Sequence, residues 1–261
     1  MYQAYWGLQQ SPFAAAIARH RLERSPIHAE ALARLAFLVE NGSRLGLLFG
    51  PAGSGKSLVL RQFADLQART AAQVAAIPAT GRGQRELLLA LAEQWGCNPA
   101  DDDDVVLLWR HIGNRLGELA LEKTAAIVAL DDLDAAGAEG AAFVLRLIAL
   151  SDARLTVVAS ARTGDRVHSR LLELADLRID LALWTEDETR DYLSGTLAEA
   201  GRAQPAFEEG ALQKLFELSG GAPRKVNQLA QLALIAGAVQ NLIQIDEPTI
   251  MAVHEELATA R

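Results

Sequence analysis

The octapeptide GPAGSGKS at residues 50–57 constrains this chain more than any other feature, because it is a complete G-x4-G-K-S phosphate loop. An apolar run at 45–49 precedes it and an amphipathic stretch follows it, so the motif reads as a turn from a buried strand into a helix. Glycines there let consecutive backbone N–H groups face phosphate oxygens, and the helix N-terminus adds its partial positive charge. Gly50, Pro51, Ala52, Gly53, Ser54, Gly55, Lys56, Ser57 and Leu58 form the expected phosphate-binding segment. Lys56 is placed to neutralise the β- and γ-phosphates, and Ser57 to ligate Mg2+.

Such a loop needs a parallel sheet behind it, and the rest of the chain supplies one. Short apolar runs recur at 74–77, 125–130, 155–160 and 177–183, separated by amphipathic stretches at 86–95 and 105–121. Strand and helix thus alternate about five times, which predicts an α/β fold with helices on both faces and ligands at the carboxyl ends of the strands. From Trp184 onward the punctuation is helical. Thr185 and Glu188 have capping-box spacing, Gly201 and Gly220-Gly221 are helix stops, Pro223 suits a first helical position, and 246–259 reads as a last helix. The predicted organisation is an N-terminal aromatic segment at 1–24, a P-loop α/β core at 25–183 and a small all-helical lid at 184–261. Within the first segment Trp6 and Phe13 read as packing anchors. His28 and Glu30 precede the core, where a nucleotide-base contact and a helix-capping or packing role are both open.

Composition narrows the function classes. The chain has 261 residues, half of them apolar, and one cysteine, Cys97, so a disulfide scaffold is excluded. No signal-peptide pattern and no apolar run of about 20 residues is present, and a cytoplasmic, non-integral protein is expected, unless a partner takes it to a membrane. The net charge is -8, with residues 1–60 at +3 and the remainder at -11. An acidic balance of this kind opposes autonomous binding to nucleic acid. The arginines at 19, 21 and 24 leave room for a local basic face, read as a solvated helix surface. The acids at 101–104 are expected to open the following helix at the positive end of its dipole rather than to hold a metal.

A second carboxylate for Mg2+ is expected where the 125–130 run ends in Asp131-Asp132. Asp131 is the metal-side candidate and Asp132 the residue that polarises water, with Asp134 as a substitute for that task. Ser160, ending VVAS, and Arg162 just after it are candidates to meet the γ-phosphate. Arg224 in SGGAPRKVN is a candidate to reach the nucleotide from the lid. Arg166, Arg170 and Arg178 are candidates for an arginine supplied to a neighbouring subunit.

Taken together, MYQAYWGLQQSPF, SPIHAEALARL, GPAGSGKS and SGGAPRKVNQLAQLAL resemble the AAA+ ATPases of the general secretion pathway protein A type, over nearly the whole chain. The resemblance implies a five-stranded core with a helical lid, ATP binding and hydrolysis, and ring formation. It also implies that Arg224 is a sensor-2 arginine, that Ser160 lies near sensor 1, and that Arg178 is the first arginine-finger candidate. Asp132 departs from the Glu usual in the AAA+ group, and its shorter side chain points to slow hydrolysis. The reading that follows is an Mg-dependent ATPase that assembles or remodels a protein partner, as a homo-oligomer. Two alternatives remain open. The Asp-Asp pair and VVASAR also resemble signal-transduction NTPase switches, and an ATP-controlled DNA-binding regulator is the third reading.

Overall fold

In a computed structural model, residues 2–14, 25–150, 154–165 and 167–259 are described. The arginines at 19–24 and Arg166 lie outside them. The chain forms two compact units, one of Pro26–Gly50 and Lys56–Leu181, the other of Met1–Ser25, Pro51–Gly55 and Ala182–Arg261.

The first unit is built on five parallel strands, β1 (Leu45–Gly50), β2 (Gln73–Pro78), β3 (Ala126–Asp131), β4 (Leu155–Arg162) and β5 (Leu177–Asp180), in the order β2-β3-β4-β1-β5. The alternation of side chains along a strand divides the core in two. Leu45 and Leu47 of β1, Val128 and Leu130 of β3, and Val157 and Ala159 of β4 pack on one face. That face is covered by Gln84–Gln94, Val105–Leu121 and Gly137–Ala149. Leu48, Ile127, Ala129 and Val158 point the other way, onto Pro26–Glu40 and Lys56–Gln67. Near-continuous burial of every strand but the edge strands explains why they read in sequence as solid apolar runs. Gly46 is required by close packing, since a Cβ there would stand 2.7 Å from a Leu38 methyl carbon.

Two local expectations are corrected. The last strand ends at Asp180 instead of running on to 183, because its partner β1 ends at Gly50 and offers no further ladder beyond the Leu181 N–H to Phe49 carbonyl bond. Of the acids at 101–104, Asp104 alone caps the helix, accepting the Leu107 N–H at 2.8 Å. Asp103 turns back to the Ala100 N–H and lies 3.4 Å from His111. His28 is buried in the helix Pro26–Glu40.

The second unit holds Glu186–Glu199, Glu209–Ser219, Pro223–Val239 and Glu247–Thr259. The first of these carries the complete Thr185–Glu188 capping box. Gly220 and Gly221 both have positive φ, and a Cβ on Gly221 would fall 2.0 Å from the Trp184 carbonyl oxygen, so that turn accepts glycine alone. The N-terminal segment belongs to this unit. Trp6 is 1% exposed, and its indole N–H donates to the Leu234 carbonyl at 2.7 Å. Arg202 stacks over the ring at 5.0 Å and donates to the Trp6 carbonyl, while Gly237 leaves room for the ring edge. Trp6→Ala is therefore expected to destabilise the helical unit by about 3–5 kcal/mol. Denaturant unfolding checks this, and a loss below about 1 kcal/mol contradicts the packing role.

Candidate phosphate-binding site

In the α/β unit the chemistry-bearing residues stand at the carboxyl ends of β1, β3 and β4, which are neighbours in the sheet. Lys56 opens the helix after β1. Its side chain is buried, the residue being 5% exposed, and Nζ donates to the Gly50 carbonyl at 2.8 Å. Burial lowers its pKa, against the opposing fields of Asp132, Asp134 and Asp131 and with the help of Arg162. A buried cation at the end of a phosphate-loop strand suits an anionic ligand. Ser57 and Leu58 follow in the same turn, Ser57 exposed.

The two acids after β3 differ in geometry. Asp131 continues the strand, and its carboxylate accepts the Ser160 hydroxyl at 2.6 Å. The Asp132 N–H donates to the same Ser160 oxygen at 2.9 Å, so Ser160 at the end of β4 ties both acids to the sheet. Asp132 has φ 55 and ψ 50, a left-handed conformation that Asp tolerates better than most residues. This turns it out of the strand into the 3-10 turn Leu133–Ala136. Thr80, just beyond β2, donates to the Asp132 carboxylate at 3.4 Å. Sequence reasoning missed Thr80. Its only signal was a hydroxyl just past the end of an apolar run, and its value comes from β2 pairing with β3 through Pro78 and Asp131.

Asp134 is also brought in. It accepts the Arg162 main-chain N–H at 3.2 Å and pairs with the Arg162 guanidinium at 3.5 Å. Arg178 is on the exposed face of edge strand β5, its guanidinium donating to the Leu172 carbonyl and its own carbonyl accepting from Arg34. Arg170 pairs with Glu173 on the surface.

In the helical unit the loop Pro51–Gly55 has Gly53 at φ 81 and Gly55 at φ 102, conformations that disfavour a side chain. Arg224, exposed at the start of Pro223–Val239, donates its N–H to the Gly53 carbonyl at 3.3 Å. A Cβ on Gly53 would be 3.2 Å from the Arg224 Cβ, so the glycine also permits this approach.

The described residues contain no cluster of three His, Cys, Asp or Glu able to hold a metal. A cation at Ser57 and Asp131 would have two protein oxygens and would draw its remaining ligands from phosphate and water. That donor set fits Mg2+. Among the described residues no helix is long and apolar enough to cross a membrane.

The unfolded chain binds more protons than the folded one wherever the folded pKa of a lysine is the lower. Lys56 therefore costs stability at neutral pH, and the cost fades as pH rises towards the ordinary lysine value. In the absence of nucleotide, Lys56→Met is expected to melt at an equal or higher Tm at pH 7. A drop of several degrees, read by differential scanning calorimetry, contradicts this account of its burial.

An AAA domain matches residues 39–164. General secretion pathway protein A from Aeromonas hydrophila is 29% identical over 247 residues, covering 90% of this chain but 45% of the relative, so the chain spans less than half of that protein. Among solved structures, Cdc6p from Pyrobaculum aerophilum superposes with a TM-score of 0.68 at 18% identity, over 90% of this chain and 67% of that one. The RuvB Holliday junction branch migration motor of Thermotoga maritima gives 0.55 at 14%, over 88% of this chain and 68% of that one. These structural likenesses concern the fold. With its phosphate loop, five-stranded parallel sheet and helical C-terminal part, the chain has the fold of the AAA+ P-loop proteins and is similar over nine-tenths of its length to general secretion pathway protein A.

Proposed function

We propose that this protein is an Mg-dependent ATPase that uses nucleotide binding and hydrolysis to assemble or remodel a protein partner, working as a homo-oligomer. The observation that carries the reading is the buried Lys56 cation facing a pair of acids that Ser160 fixes at the strand ends. In this reading Lys56 neutralises the phosphates, and the loop N–H groups cradle them. Ser57 and Asp131 would hold Mg2+, which supplies charge stabilisation to the phosphates. Asp132 orients the attacking water and takes its proton, while Thr80 limits where that carboxylate can point. Ser160 keeps Asp131 and the Asp132 main chain in register. Arg224, beside Gly53, relays nucleotide state to the lid helices, and Arg178 acts on a neighbouring subunit.

The similarity to general secretion pathway protein A supports a link to secretion or export. The acidic net charge weighs against a DNA-binding regulator. A nucleotide-held switch with slow turnover is the second reading, favoured by the short Asp132 side chain and its Thr80 tether.

Steady-state phosphate release tests the assignment. Lys56→Ala is expected to lower turnover by about 100-fold or more, and full activity in that variant overturns the site. Asp132→Glu is expected to match or exceed the parent rate, because the longer carboxylate reaches further. A large loss would mean that the aspartate is already well placed and that hydrolysis is not limited by its length.

A further inference from the structure

The exit of β4 holds an ion-pair arrangement around Arg162, the γ-phosphate candidate of the sequence, whose acids Asp134 and Asp165 have no role in the proposed function. Arg162 is paired with Gly50 in the β1/β4 register, so it stands beside the first glycine of the phosphate loop. The next N–H, that of Thr163, donates at 3.2 Å to the Gly50 carbonyl, the same oxygen that receives Lys56 Nζ. The Arg162 backbone is thus fixed at the site. Its side chain is 53% exposed, whereas the carboxylate it pairs with, Asp134, is only 4% exposed. Asp134 grips Arg162 twice, through the main-chain N–H and through Nε, and Asp165 also lies 3.8 Å from Nε. Two neighbouring carboxylates therefore share one guanidinium nitrogen, with the Asp134 side chain buried.

The charges are unbalanced within this group. Burial, with a hydrogen bond that the protonated Asp134 donates to Asp165, pushes the Asp134 carboxyl above its ordinary value. An exposed cation beside a phosphate site, paired with acids, exchanges partners when a stronger anion arrives.

We propose that Asp134 and Asp165 form a clamp that competes with the terminal phosphate of a nucleoside triphosphate for Arg162, so that the clamp sets how strongly the site prefers triphosphate over diphosphate. Asp134 and Asp165 are positioning residues here, acting through Arg162. The proposal rests on the nucleotide-binding reading above and adds to it the group that distinguishes the two ligands. A ligand shifts an equilibrium only by its differential interaction with the two states, and the terminal phosphate is what ATP has and ADP lacks.

The test is calorimetric titration of the full chain with ADP and with a non-hydrolysable ATP analogue, both with Mg2+. Arg162→Gln is expected to weaken analogue binding about tenfold and leave ADP within about twofold. Asp165→Asn, at an exposed position, is expected to tighten the analogue about threefold with ADP unchanged, and Asp134→Asn to act in the same direction. The double variant Asp165→Asn/Arg162→Gln should match Arg162→Gln alone. Equal weakening of both nucleotides by Arg162→Gln, or analogue binding that the Asp165 variant leaves unchanged or weakens, overturns the clamp and leaves the nucleotide site standing. Failure of the parent chain to bind either nucleotide overturns both.

Discussion

A lysine ammonium taken out of water organises the α/β unit. Lys56 gives up hydration for contacts that include the Gly50 carbonyl, and the fields of three aspartates oppose the effect of its burial. Holding it there requires Gly50 at a strand end, a glycine loop short enough to return the chain at Lys56, and a helix starting at that residue. It also requires the acids to arrive from another strand. The order β3-β4-β1 does this, because all strands are parallel and their carboxyl ends share one edge of the sheet.

Ser160 shows how far that arrangement depends on register. It lies at the end of β4, between β3 and β1, and one hydroxyl donates to Asp131 while accepting from the Asp132 N–H. A one-residue slip of β4 would turn the hydroxyl to the opposite face of the sheet. The apolar alternation that assigns Val157 and Ala159 to one core and Val158 to the other therefore also fixes the polar contacts at the strand end.

Much of this was readable in the sequence, for physical reasons that differ by element. Buried parallel strands write themselves as apolar runs, and the phosphate loop and the Thr185–Glu188 cap have fixed spacings, so local signals sufficed for them. Residue types at the site were legible too, since Lys56, Asp131, Asp132 and Ser160 each terminate or follow a strand. What was not legible depends on distant partners. Thr80 reaches Asp132 only because β2 pairs with β3, and the buried Asp134 acquires its meaning from Arg162, 28 residues away. Trp6 read as a generic anchor, while its partner Leu234 lies 228 residues along the chain. The early end of β5 likewise follows from where β1 stops rather than from the apolar pattern of 177–183.

The central claim is that this site hydrolyses ATP and that assembly completes it. Steady-state ATP hydrolysis measured across protein concentrations, with molar mass followed by light scattering in the same samples, tests it most directly. The account predicts specific activity that rises as the mass increases in the presence of ATP and Mg2+. A monomer that retains nucleotide tightly, with negligible turnover at every concentration, would contradict it.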